Sequence, residues 1–290
     1  MGQVQVGAAI GASFRNIGEA WRKAWGVMLI LVWFTATLQA IELLKPGWVL
    51  VPFLGLIAAL FITTAAAGAL FRLGLTGDHP GDPAFAPGPA GFNWGGLEWR
   101  VMGANILVGI IIGVLAVIAI IVWAIAVGAT AGVAGGADAQ ALEQGTQSDR
   151  IAALFRLLLG PAGLAAVIVG VPALAGLVWL SAKLALVTPL AADTRAFDFG
   201  KAWALTRGGV TALILGSILI FLLEVAIGAV AGGLAGLTAV LTRNTGSGQI
   251  WGGIVGQAAD AAINTPLFVG LVLYVYRTQR GDTAVAATFS

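Results

Sequence analysis

Between positions 101 and 137 the chain runs for 37 residues without a single Asp, Glu, Lys or Arg. About 20 apolar residues are enough to carry a helix across a bilayer's hydrocarbon. A backbone inside hydrocarbon must satisfy its own N–H and C=O groups, as a helix does. This stretch therefore dictates a helix solvated by lipid. Apolar residues run continuously here, where a membrane β-barrel strand would alternate them with polar ones. Across all 290 residues 59% are hydrophobic and 10% are charged, against about 25% charged in an ordinary soluble domain. A soluble enzyme surface is excluded on that ground.

Scanning the whole sequence for charge-limited apolar segments gives six spans, at 24–41, 49–71, 103–127, 161–186, 210–230 and 255–276. They predict an all-α, polytopic membrane bundle. It would form a single integral domain over 1–290, organised as three hairpin-like units with short interfacial helices. The first segment is too long in its apolar core for a signal peptide, and no persuasive A-x-A cleavage site follows it. With six spans, Arg15, Arg22, Lys23, Arg72, Arg100, Arg195, Lys201, Arg207, Arg277 and Arg280 fall on one side of the membrane. Lys45, Arg150, Arg156 and Arg243 fall on the other. An excess of Lys and Arg marks the cytoplasmic face, so both termini are expected in the cytoplasm and the chain in the cell inner membrane. Seven of the ten tryptophans, Trp21, Trp25, Trp48, Trp94, Trp99, Trp203 and Trp251, lie near predicted span ends, where an indole keeps its ring in the interface and its N–H in water.

A weak internal repeat accompanies the spans. Ile17-Gly18-Glu19-Ala20-Trp21 resembles Phe199-Gly200-Lys201-Ala202-Trp203, and five residues past each Trp a glycine, Gly26 or Gly208, opens an apolar segment. Phe14, Ile17, Trp21 and Trp25 recur at helical spacing, with Arg15, Glu19, Arg22 and Lys23 at other positions. That pattern reads either as an interfacial amphipathic helix or as a water-exposed first turn of the first span.

The segment around the fourth and fifth spans carries a family resemblance. Lys183 precedes Pro189, and Ala202, Trp203, Leu205 and Gly208 follow in an Ala-Trp-x-Leu-x-x-Gly arrangement. This resembles a conserved element of bacterial six-span proteins related to the membrane domain of glycerophosphoryl diester phosphodiesterases and to similar inner-membrane families. The likeness is sharpest over about thirty residues. It implies architecture only, because the phosphodiesterase relatives place catalysis in a separate soluble barrel for which no segment here is long or polar enough.

Ionisable groups inside spans are costly in lipid and mark candidate functional positions. Glu224 lies well inside the fifth span and should face the bundle, paired with a donor such as Ser217 or Ser181, or serve transport. Asp260 and Asn264 share a face at i,i+4 near the start of the sixth. Pro266 follows and frees a backbone carbonyl. Together with Gln257 they would line a polar pocket or, alternatively, sit just below the headgroups. Lys183 closes the fourth span, where its aliphatic stem can snorkel to water. Glycines recur every four residues at Gly109/Gly113, Gly128/Gly132, Gly228/Gly232/Gly236 and Gly252/Gly256, a spacing that permits close helix approach.

The remaining chemistry is sparse. The chain has no cysteine and one histidine, which excludes thiolate sites and any zinc site needing two imidazoles. Asp78, His79 and Asp82 sit in a Pro-rich loop over 77–91 and read as a polar loop. No P-loop, nucleophile elbow or H-E-x-x-H signature is present, and no cofactor is implied. A formal charge of +2 gives no footprint for nucleic acid. These observations predict a non-enzymatic inner-membrane scaffold or regulator of envelope components, whose partners are membrane lipids and another membrane or envelope protein. The alternatives are a small-solute or ion transporter or channel using its intramembrane carboxylates, and a lipid-directed membrane enzyme.

Overall fold

A computed structural model describes residues 4–44, 50–134, 146, 159–242 and 245–281. Among the described residues the regular structure is helical, and six helices are long and apolar enough to cross a membrane. In chain order the helices are α1 (Val6–Lys23), α2 (Trp25–Leu44), α3 (Leu50–Leu75), α4 (Gly96–Ala134), α5 (Pro161–Leu184), α6 (Val187–Thr194), α7 (Phe199–Leu205), α8 (Val210–Thr242) and α9 (Thr245–Arg280). At 1.5 Å per residue the 39 residues of α4 extend about 58 Å, well beyond the roughly 30 Å of hydrocarbon a span must cross. Lys45, Trp48, Arg150, Arg156 and Arg243 of the charge and tryptophan map lie outside the described residues.

The chain divides into two compact units, one formed by 1–106 and 182–290, the other by 107–181. In the first unit, α8 and α9 form the most extensive helix pair, and α9 also packs against α1, α2 and α3. Its core is built from Met28, Leu31, Leu70, Leu75, Leu213, Leu267, Leu271 and Tyr276, all essentially inaccessible. In the second unit, the indole N–H of Trp123 on α4 donates to the carbonyl of Ala166 on α5 at 3.2 Å. Outward faces of the long helices carry large apolar side chains: Trp33, Leu56, Ile120, Ile168 and Val240 are each more than 60% exposed. Such faces suit contact with lipid tails.

The amino-terminal helix separates from the first long apolar one. α1 ends at Lys23 and the chain bends at Ala24 (φ −120°, ψ 28°) before α2 begins, so α1 is a helix of its own. It packs through small residues, Ala9, Ala12, Ser13 and Ala20, while Phe14 and Trp25 of the aromatic stripe stay exposed. The repeat shares this pattern of burial: Ala20 and Ala202 are both fully buried. A Cβ at Gly26 would press on Ala90, and one at Gly208 on the Gln279 side chain. The element around Gly208 thus packs against the far end of α9.

Four-residue glycine spacing resolves into two different uses. Cβ atoms on Gly252 and Gly256 of α9 would fall 2.4 and 3.3 Å from the Cβ atoms of Ala235 and Ala231 of α8, so these glycines permit close packing. Cβ atoms on Gly228, Gly232 and Gly236 of α8, and on Gly109 and Gly113 of α4, would meet nothing within 4 Å.

Candidate functional site: two cavities and a charged cluster

Pro266 organises the middle of α9. Its nitrogen carries no hydrogen, so the carbonyl of Ala262 one turn earlier loses its helical partner. α1 supplies the replacement, since Trp21 donates its indole N–H to that carbonyl at 3.1 Å. Asn16 donates its side-chain N–H to the carbonyl of Pro266 itself at 2.7 Å. α1 comes this close because Gly270 lies against Ser13 and Asn16. The stretch of α9 around Pro266, which stays helical, is therefore held by a second helix, and Asp260 and Asn264 sit just before the proline within it.

Glu224 of α8 and Asp260 and Gln257 of α9 line one open cleft of about 570 Å³, with Gln39 of α2 at its wall; Glu224 and Gln257 are exposed and Asp260 is half-buried. Gly228 and Gly232, whose added Cβ atoms would meet nothing within 4 Å, leave it room, while Gly252 and Gly256 line it where α9 packs on α8. Both charged residues in the lining are acids. Asn264 donates its side-chain N–H to Asp260 and itself lines a second cavity of about 310 Å³. Thr265, Thr63, Asn105 and Thr188 supply the polar groups of that second space. Asn264 Oδ1 is buried without a hydrogen-bond partner. A single side-chain hydrogen bond on one face of α9 thus joins the linings of two cavities.

The other candidate residues fall elsewhere. Lys183 lines neither cavity; its ammonium sits 5.3 Å from the centroid of the Trp203 ring, within cation–π range. Ser181 donates to the carbonyl of Leu177 in its own helix. Pro189 occupies the first turn of α6, where a missing N–H costs no helical bond. Ala202 and Leu205 are buried on the short α7, whose N-cap is Asp198, accepting from the N–H of Lys201 at 2.8 Å.

Sequence reasoning assigned no role to Asp193, Glu98 or Tyr276; Asp193 and Tyr276 anchor a charged cluster, and Glu98 belongs to a separate buried pair. Asp193 at the end of α6 accepts hydrogen bonds from the hydroxyl of Tyr276 and from Arg280 at 2.6 Å, and lies 2.5 Å from His79 Nε2. Arg277 reaches Asp78 at 2.9 Å, and Arg280 bridges from Asp193 to Asp78 at 3.2 Å. The His79 ring stacks on Phe85 at a centroid distance of 4.1 Å. Asp82, the third member of the polar loop, turns away to pair with Arg195. The backbone N–H of Ala84, and then Arg195, hold its carboxyl below the ordinary carboxylate range. Asp78, His79 and Asp82 therefore serve different partners.

Arg72 and Glu98 form a separate buried pair at 2.6 Å, with side chains 3% and 0% exposed. Arg72 also donates to the carbonyls of Ala84 and Asn93, and Glu98 Oε2 accepts from the N–H of Gly95 at 2.8 Å. The pair fastens the loop after α3 to the start of α4. The signal for these residues was faint: Arg72 and Glu98 border apolar runs, Glu98 with Arg100 two residues on, and only the fold shows that the runs close over the pair. No family model, curated protein or solved structure matches this chain.

Proposed function

We propose that this protein is a membrane transporter or channel for a small solute or ion, with Glu224, Asp260 and Asn264 as its intramembrane polar site. The observation that carries this reading is the cleft of about 570 Å³ that Glu224 and Asp260 share, together with the hydrogen bond from Asn264 that leads to the second cavity. Ionisable residues in hydrocarbon are tolerated where they face the bundle or a water-filled space, and such spaces mark solute and proton pathways; Glu224, exposed on the wall of the cleft, calls for water or a solute there. α9 stays helical through Pro266, and the carbonyl that the proline leaves without a helical partner is bound by Trp21 of α1, so a backbone polar group is satisfied inside the bundle close to the site. Two carboxylates and two carboxamides with no base in the lining favour a cation or a proton-coupled solute.

This reading displaces the scaffold expected from the sequence, because that expectation rested on a lack of assembled polar features. It keeps the protein non-enzymatic and places it in an inner membrane with both termini in the cytoplasm. The hairpin organisation is supported by the packing of α2 on α3 and of α8 on α9. The resemblance around Lys183–Gly208 bears on architecture and leaves the transported species open.

The test is reconstitution in sealed liposomes, with uptake of labelled monovalent cations and small amines measured with and without a pH gradient. Saturable uptake that is lost in Glu224→Gln and reduced in Asp260→Asn is the expected result. No uptake of any probe, together with a stoichiometric protein partner recovered in mild detergent, would return the scaffold reading.

A further inference from the structure

We infer that the Asp193 cluster is the gate at one end of the second cavity, a latch that must open for a solute to pass; this rests on the transport reading. Besides Asn105 of α4, the cavity is walled by three lengths of chain that run directly into the cluster. On α3, Phe71 lines the cavity, and the chain continues through the turn Thr76–Asp78 to Asp78 and His79. Thr188 lines it from α6, and the same helix ends at Asp193 and Thr194. Val272 lines it from α9, and Tyr276 follows one turn later.

The bonding within the cluster joins those segments to one another. Asp193 is bound from α9 by Tyr276 and Arg280, and from the loop after α3 by His79. Asp78 in the loop is bound from α9 by Arg277 and Arg280. None of these bonds lies within one element, so the cluster exists only while all three segments are together. Separating any one of them breaks at least two bonds at once, which makes closure cooperative.

The chemistry suits a contact that opens. Buried ion pairs hold helices together no better than well-packed apolar side chains, because desolvation offsets the attraction. Their ends can instead be rehydrated when the segments part. The Arg72–Glu98 pair is sealed, whereas the His79 and Arg280 side chains in the cluster are 28% and 29% exposed. Water therefore reaches the rim of the cluster while Tyr276 and Asp193 close its inner side. Two-state rearrangements of interfaces commonly exchange such ionic contacts.

The absence of cysteine from the chain allows a direct test. Thr265→Cys places one thiol in the second cavity, and a membrane-impermeant cationic thiol reagent is applied to sealed vesicles of each orientation. With the cluster intact, labelling from its side should be slow. Adding Asp193→Asn or Tyr276→Phe should accelerate it by roughly fivefold or more, the factor expected from losing one buried hydrogen bond. Labelling from the opposite side should not change. Tyr276→Phe removes only a hydroxyl, so it decides the matter if Asp193→Asn does not yield monodisperse protein. Equal labelling rates in Thr265→Cys alone and with either folded cluster variant would overturn the gate. Uptake measured on the same preparations separates the two ideas: accelerated labelling without any wild-type uptake supports the latch and rejects transport, and Glu224-dependent uptake with unchanged labelling rejects only the latch.

Discussion

Trp21 donates its indole N–H to the carbonyl of Ala262, the carbonyl that Pro266 leaves without a partner in its own helix. The bond explains how a proline is accommodated in the middle of α9 and why α1 is pressed against it. Trp21→Phe keeps an aromatic ring and removes the donor. It should destabilise the protein by about 1 kcal/mol, the low end of the cost of an unsatisfied carbonyl because this one is part-buried. Pro266→Ala restores a helical donor for Ala262, so Trp21→Phe should cost less in that background. Thermal denaturation of the four proteins in mild detergent gives the coupling, and purely additive effects would contradict the assignment.

Glu98 is fully buried and its carboxylate faces Arg72. Glu98→Gln leaves a guanidinium buried without its counter-charge, and removing one partner of such a pair typically costs about 3–5 kcal/mol. Replacing both residues with apolar ones of similar volume should cost less than the single change. Gly68 adds a steric check: a Cβ there would come within 2.8 Å of Glu98 Oε1, so Gly68→Ala should also lower the unfolding temperature.

Glycines of the same spacing should respond in opposite ways. Gly252→Val drives a side chain into Ala235 and the carbonyl of Ala231. Overpacking of this kind costs about 1–3 kcal/mol. Gly232 has nothing within 4 Å of its missing Cβ and lines the larger cavity. Gly232→Leu should leave the melting temperature near that of the unaltered protein while suppressing uptake in liposomes. A loss of stability at Gly232 equal to that at Gly252 would contradict the distinction.

Gly88 offers a test of the loop after α3. A Cβ at this position would lie 1.6 Å from the carbonyl oxygen of Phe92, a backbone atom that cannot swing aside. Gly88→Ala should therefore rearrange the loop that supplies the carbonyls of Ala84 and Asn93 to Arg72. Faster proteolysis between α3 and α4 is the expected readout, and Gly77→Ala, with open space around it, should show no such change.

What was legible in the sequence was whatever lipid imposes residue by residue. Hydrocarbon forbids unsatisfied backbone and unpaired charge, so six long helices and the oddity of Glu224, Asp260 and Asn264 could be read from local composition alone. Pro266 likewise announced a free carbonyl, because the missing N–H is a covalent fact. Which group would answer it could not be read, since Trp21 is 241 positions away and sequence spacing carries no information about such a contact. The same limit applies to Asp193, whose neighbours His79, Tyr276 and Arg280 come from distant segments. It applies also to the glycines, whose identical four-residue spacing yields close contact on one helix and open volume on another. Tertiary packing alone decided those outcomes, because burial and partnership are properties of the surfaces that meet.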